Sequence, residues 1–260
     1  MNTTYSRSRN SSPRIKQLTL AALLFAAVPC LLIAGDPSSV VETKADDAAS
    51  DAKAKAQTVK QLEQIGIAMR ASYTSFNRYP DPAILDNNAN PLLSWRVALL
   101  PFLKDPKARE LHEKFHLNEP WDSEHNKALI AEMPDVFKCP NSKVAEKGLT
   151  VYQLPRGDST MFPNSHSLTY LDIHDGTSKT ISLVEVDDEH AVPWTKPADW
   201  KFDPNVPSQG LGGHFLPAGK GFFAVIADRS VKYLSKDVPR EDLVALFTRG
   251  GGEMVSFVEP

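Results

Sequence analysis

The sequence predicts an α+β fold in which a long N-terminal helix packs on an antiparallel β-sheet, with short helical insertions. Over residues 58–77, apolar residues recur at three- and four-residue spacing, the pattern of an amphipathic α-helix. From Leu149 onwards, apolar and polar residues alternate at the two-residue period of β-strands. The region between them carries prolines and helix-capping residues, which are typical of short helices joined by loops.

The first segment of the chain, residues 1–34, has the composition of an export signal. It contains four basic residues and no acidic residue, and the basic residues precede a mostly apolar run over 18–34. The run is short for a membrane span and is interrupted by Pro29, which favours a signal that is cleaved before Gly35. An uncleaved N-terminal anchor is the alternative, and membrane contact is then expected through this segment alone. Either way, we predict an exported protein of the periplasm, the cell envelope or the extracellular space.

The residues of the second segment, 35–56, are small, polar and charged, and we interpret it as a linker that can become helical near its end. Residues 57–260 are predicted to form a single domain that opens with the amphipathic helix over 58–77. That helix ends before Tyr79 and Pro80. Because one of its faces is apolar, we expect this face to be buried against the β-rich half of the domain.

Three short helices are predicted in the middle of the domain, each at a capping residue. Ser94 precedes the first, Asp105 the second, and Asp122 or Ser123 the third. Aromatic residues at helical spacing usually bury their area, so those of this region are assigned to the core rather than to a ligand site. They are Trp95, Phe102, Phe115 and Trp121.

Five strands and a final helix are predicted in the C-terminal half. The strands lie at 151–154, 168–173, 180–186, 222–227 and 231–234, and the helix carries Leu243, Leu246 and Phe247 on its apolar side. Asp228 and Arg229 separate the last two strands at the spacing of a two-residue hairpin turn. A type I′ turn requires positive φ at both positions, so Arg229 is expected to cost on the order of 1 kcal/mol relative to glycine.

Charge and motifs exclude several classes of function. The whole chain has a net charge of −3; without the four basic residues of the first segment, 25 basic residues face 32 acidic ones, a net charge of −7. An anionic body gains nothing from releasing phosphate counterions, so nucleic acid is not an expected partner. The sequence contains no Gly-x-Ser-x-Gly, Walker or dinucleotide-binding motif, and no cofactor is predicted.

Cysteine usage gives little further guidance. Cys139 is the single cysteine after the first segment, which excludes an intramolecular disulfide in a cleaved protein. We interpret it as a buried apolar thiol, which is the commoner case. A nucleophilic cysteine would require a histidine and an acidic partner, and the sequence alone does not show them.

Polar residues at the ends of the predicted strands form the candidate sites. Glu185, His214 and Asp228 are candidate metal ligands or an acid–base set. Two further clusters, at 172–175 and 187–190, contain residue types that bind hard cations or zinc. None of them has a recognised ligand spacing. Turn formation and solvated strand ends are therefore the favoured interpretations, with Asp228 shaping its hairpin.

A second kind of site is indicated by the loop from Trp194 to Pro207. The candidate residues for binding a glycan or a peptide are Trp194 and Trp200 in this loop, together with His214 and Asp228. We expect quenching of tryptophan fluorescence by a ligand if this interpretation is right.

Five stretches of the sequence carry a resemblance to a known family. They are residues 62–66, 77–80, 91–97 and 118–123, and the β-rich run from 175 to 235. In these stretches the chain resembles a bacterial family of exported, prepilin-like proteins, domain of unknown function 1559, over roughly residues 57–255. The resemblance implies a pilin-like fold and a location in the cell envelope or outside the cell, and it brings no catalytic residues.

Two features depart from the family pattern. Many members begin with a prepilin leader that runs directly into the spine helix, whereas here the polar segment 35–56 intervenes. The family also places a histidine nine residues before an Asp-Gly turn. Here thirteen residues separate His214 from Asp228, and Arg229 replaces the glycine. Polymerisation as a true pilin is therefore not predicted.

The leading functional prediction is a non-enzymatic exported protein with a structural or interaction role. Its expected partners are envelope proteins or other copies of itself. One alternative is a glycan- or peptide-binding module that uses the loop from Trp194 to Pro207. The less favoured alternative is an exported metal-dependent hydrolase centred on His214.

Overall fold

The protein is described by a computed structural model that covers residues 37–163, 168–217, 219–252 and 257, and the side chains of the long first helix are described from Asp46 onwards. The predicted export segment, residues 1–34, lies outside the described residues.

In chain order, the helices and strands are α1 (Pro37–Phe76), β1 (Ala83–Leu85), β2 (Pro91–Ser94), α2 (Trp95–Leu99), α3 (Pro106–Lys114), α4 (Glu124–Ala128), β3 (Leu149–Thr150), β4 (Tyr152–Gln153), β5 (Ile181–Glu185), β6 (Val192–Pro193), β7 (Gly221–Ile226), β8 (Val231–Ser235) and α5 (Arg240–Phe247). Short 3₁₀ turns join several of the middle elements. The predicted α+β class is confirmed, with a long N-terminal helix, antiparallel sheets and short helices between them.

Helix α1 begins earlier than the predicted 58–77, because the polar segment 35–56 is helical from Pro37 onwards. That segment is rich in alanine and lysine, which favour helix even where no apolar face exists. The side chains of residues 46–50 are exposed, whereas Leu62, Ile65 and Met69 are buried. The helix therefore packs on the body with its C-terminal part and extends beyond it with a polar N-terminal part. Among the described residues, no helix combines the length and the apolar character needed to cross a membrane.

The main sheet has four antiparallel strands in the order β4-β5-β7-β8. Two small antiparallel pairs, β1 with β2 and β3 with β6, lie outside it. Strand β7 is buried along its whole length, because both faces of the sheet are covered. On one face Val225 approaches α1, where a Cβ added to Gly66 would lie 3.4 Å from Val225 Cγ1. On the other face, Phe222 stacks on Phe247 of α5, with ring centroids 6.5 Å apart.

Local capping signals are confirmed in the middle of the domain. The side chains of Ser94, Asp105 and Ser123 each accept a backbone hydrogen bond at the start of a short helix. The predicted strand over 168–173 is wrong. Thr169 and Asp172 cap a 3₁₀ turn there reciprocally, and this local hydrogen bonding competes successfully with strand pairing.

The turn between β7 and β8 differs from the predicted two-residue turn. Arg229 N–H donates to the Ile226 carbonyl, and Ile226 N–H donates to the Ser230 carbonyl. Arg229 has φ +81°, whereas Asp228 has no positive φ. The loop therefore has three residues, a type I turn followed by a left-handed residue, and the predicted type I′ geometry is wrong. Asp228 accepts hydrogen bonds from the backbone and hydroxyl of Ser230 and shapes this turn, as predicted.

Replacing Arg229 with glycine is expected to leave the free energy of unfolding unchanged or to raise it by about 1 kcal/mol, because glycine adopts positive φ without strain. Thermal unfolding of the purified protein checks this expectation. Arg229→Ala is the matched control, since it removes the same side chain but keeps the strain. A clear fall in Tm for Arg229→Gly, with no fall for Arg229→Ala, would contradict the strain argument.

Candidate functional site

Two of the predicted site residues, Glu185 and His214, meet at one end of the main sheet. His214 Nδ1 lies 2.6 Å from Glu185 Oε1. Glu185 ends β5, and the backbone N–H of Phe223 on the neighbouring strand β7 donates to its Oε2 over 2.9 Å. Both carboxylate oxygens are therefore held in place, and the buried acid has two partners.

His214 is positioned by a tight loop before β7. Gly212 in this loop has φ +61° and passes so close to β7 that an added Cβ would lie 2.1 Å from the Gly221 carbonyl oxygen. The Gly212 N–H donates to the Glu185 backbone carbonyl over 2.9 Å. The Asn141 side chain also donates to the His214 carbonyl over 2.9 Å. The loop is thus fixed to β5 and to the turn that follows Cys139.

Asp188 holds the other side of the imidazole. Its Oδ1 lies 2.9 Å from His214 Nε2. Asp188 is itself held by the Ser142 hydroxyl, over 2.6 Å, and by the Lys143 backbone N–H, over 3.0 Å. The His214 side chain is only 5% exposed, and each of its ring nitrogens faces a carboxylate.

The charges around His214 determine its protonation. Burial alone would lower the pKa of His214, but hydrogen bonds and charges from Glu185 and Asp188 outweigh burial and raise it above its ordinary value. Burial likewise opposes ionisation of Asp188. Its hydrogen bonds to Ser142 and His214 prevail and lower the pKa of Asp188. The two acidic side chains therefore favour the protonated form of the buried imidazole.

Cys139 completes the cluster. Its place beside Glu185 and His214 was not predicted from the sequence. Its sulfur, an oxygen of Glu185 and a ring nitrogen of His214 all lie within 4.8 Å of one another. Burial, with the charge of Glu185, raises the pKa of the Cys139 thiol to about 12. The thiol is therefore protonated near neutral pH and is a poor nucleophile. Its histidine and acidic partners are visible only once the strands are paired.

Asp228, the third predicted ligand, lies at the opposite end of β5. The antiparallel register pairs Ile181 with Ile226, so the turn that holds Asp228 lies next to the start of β5, whereas Glu185 ends that strand. Four residues of strand correspond to about 13 Å. The structure therefore separates Asp228 from Glu185 and His214.

The two predicted binding tryptophans lie in the core. Trp194 Nε1 donates to the Ile130 carbonyl, and Trp200 Nε1 donates to the Gln209 carbonyl, each over 3.0 Å. Both side chains are buried. Neither ring offers an open face on which a sugar or a peptide could stack.

The two other polar clusters have local roles. Asp172 caps its 3₁₀ turn, and Asp175 accepts backbone hydrogen bonds from Gly251 and Gly252. In the 187–190 cluster, Asp187 pairs with the half-exposed His190 over 2.6 Å. Only Asp188 of that cluster contributes to the His214 site.

A protein family matches more than half of the chain. The family described as "Protein of unknown function (DUF1559)" matches residues 52–215, which include Cys139, Glu185, Asp188 and His214. Searches of curated proteins and of solved structures gave no match.

Proposed function

The chain belongs to the DUF1559 family, whose description names no function, and we propose that it is a non-enzymatic exported protein of the cell envelope. Its role would be structural or would consist of interactions with other envelope proteins or with copies of itself. The observation that carries this proposal is helix α1, which leads from the predicted export segment into the folded body.

The length of α1 suits a helix that holds the folded body at a distance from the N-terminal segment. Its 40 residues correspond to a rod of about 60 Å at the usual rise per residue. The exposed side chains of residues 46–50 are polar or small, whereas the buried face begins at Ala54. Such a helix can hold the body away from whatever retains the N-terminal segment. A helix spine packed on an antiparallel sheet is also the arrangement expected of a pilin-like domain.

The His214 cluster supports the non-enzymatic part of the proposal. A general base needs a ring nitrogen that faces its substrate, but both nitrogens of His214 face carboxylates. A nucleophilic cysteine needs a lowered pKa, whereas that of Cys139 is raised.

Fractionation of cells that produce the full-length protein tests the location. We expect the protein in the envelope or extracellular fraction, and we expect a variant without residues 2–34 to remain in the cytoplasm. The truncated protein should keep its Tm, because the buried face of α1 begins only at Ala54. Full-length protein in the cytoplasmic fraction would overturn the proposal.

A substrate panel tests the absence of catalysis. Peptide, glycoside and ester substrates are expected to react no faster with the purified protein than with His214→Ala. A reaction that a folded His214→Ala variant no longer supports would favour the hydrolase alternative instead.

A further inference from the structure

We propose that Cys139, Glu185 and His214 bind a zinc ion, with Asp188 orienting the imidazole of His214. This inference goes beyond the proposed function, since it concerns a ligand and not the role or location of the protein. It depends on the geometry of four side chains that come together from three separate parts of the chain.

The donor atoms suit zinc. A thiolate, an imidazole nitrogen and a carboxylate oxygen are the three ligand types that zinc accepts in proteins, whereas magnesium and calcium prefer oxygen alone. The three donor atoms lie within 4.8 Å of one another, and all three side chains are nearly inaccessible to solvent.

The imidazole is oriented as in many zinc sites. A zinc-bound histidine usually donates its second ring N–H to a carboxylate, which fixes the tautomer. Here His214 Nε2 faces Asp188 Oδ1 over 2.9 Å, and Asp188 is fixed by Ser142 and Lys143. His214 Nδ1 is thereby directed towards Glu185, on the side of the cluster that Cys139 completes.

The other two donors are also oriented. Phe223 N–H occupies Glu185 Oε2, which leaves Oε1 on the side of His214. The backbone that carries the Cys139 thiol is fixed by a turn, in which the Ser142 N–H donates to the Cys139 carbonyl over 3.2 Å.

Zinc would take the place of the proton between His214 and Glu185. Binding releases two protons to solvent, one from the Cys139 thiol and one from His214 Nδ1. Two nitrogen or oxygen ligands of one zinc ion lie about 3.3 Å apart, so the 2.6 Å separation of Nδ1 and Oε1 must widen. Gly213, which precedes His214, has open space where a Cβ would lie, and this leaves room for such a shift.

A cavity lies next to His214. It has a volume of about 260 Å³ and is lined by Asp47, Asp51, Asn141 and His214, among others. Its two carboxylates favour the approach of a cation. A water molecule from this cavity would complete the tetrahedral coordination.

Titration of chelator-treated, purified protein with zinc chloride tests the proposal. We expect one zinc ion per chain, a raised Tm, and, with cobalt in place of zinc, thiolate-to-cobalt charge-transfer absorption. Cys139→Ser should abolish that absorption. Asp188→Asn, which keeps all three ligands, should weaken zinc binding by about 10–100-fold.

His190→Ala is the matched control, because His190 has a similar 2.6 Å contact with Asp187 but lies at the surface. Its zinc affinity should equal that of the unaltered protein. The proposal fails if the protein binds no zinc, or if Cys139→Ser and Asp188→Asn both bind it with unchanged affinity. If Cys139→Ser does not fold, Asp188→Asn alone decides. These results are independent of fractionation and of the substrate panel, which test the proposed function.

Discussion

Asp199→Ala is expected to lower the free energy of unfolding by about 3–5 kcal/mol, because it leaves a buried arginine without its counter-charge. Arg96 Nη2 lies 2.8 Å from Asp199 Oδ1, and the two side chains are 0% and 2% exposed. Asp199 Oδ1 also accepts hydrogen bonds from Trp95 Nε1 and from the Leu154 backbone, each over 3.0 Å. The substitution therefore removes three hydrogen bonds and leaves the charge of Arg96 unpaired.

Chemical denaturation of the purified protein measures this loss. The double variant Arg96→Met/Asp199→Leu is the control, since replacing both charges with apolar side chains removes the unpaired charge. We expect it to be more stable than Asp199→Ala. A loss below about 1 kcal/mol for Asp199→Ala would show that the pair behaves like a surface salt bridge.

Gly212→Ala is expected to destabilise the protein by about 4 kcal/mol or more, since it forces a rearrangement of packed backbone. The new Cβ would lie 2.1 Å from the Gly221 carbonyl oxygen and 2.8 Å from Phe222 Cβ, and φ is +61°. The loop would have to move away from β7, and His214 would move with it. Thermal unfolding measures the effect.

Gly213→Ala provides the comparison for Gly212→Ala. Gly213 also has a positive φ, +112°, but an added Cβ would meet nothing within 4 Å. Gly213→Ala should therefore lower the free energy of unfolding only by the backbone strain, on the order of 1–3 kcal/mol. Equal losses of Tm for the two variants would contradict the proposed clash at Gly212.

Features set by neighbouring residues could be predicted from the sequence. The caps at Ser94, Asp105 and Ser123 depend on hydrogen bonds within one turn, and all three are confirmed. The apolar periodicity of α1 and the central strands likewise needs no distant partner. The start of α1 was not predicted, because a polar stretch of alanine and lysine suits either a linker or a helix that extends beyond the body.

Features set by strand register could not be predicted in this way. Glu185 and Asp228 both flank strands, but the antiparallel pairing of β5 with β7 places them at opposite ends of the sheet. Cys139 joins His214 only because the turn after it packs beside the end of β5. The burial of Arg96 depends equally on Asp199, which is distant in the sequence.

The packing of α1 sets an order in which the protein can mature. The apolar face of α1 lies against β7 and β8, and these strands come after all the other described strands in chain order. While the polypeptide is still growing, Leu62, Ile65 and Met69 lack the sheet that covers them in the finished protein. The nascent chain therefore cannot complete its core until β7 and β8 have been synthesised.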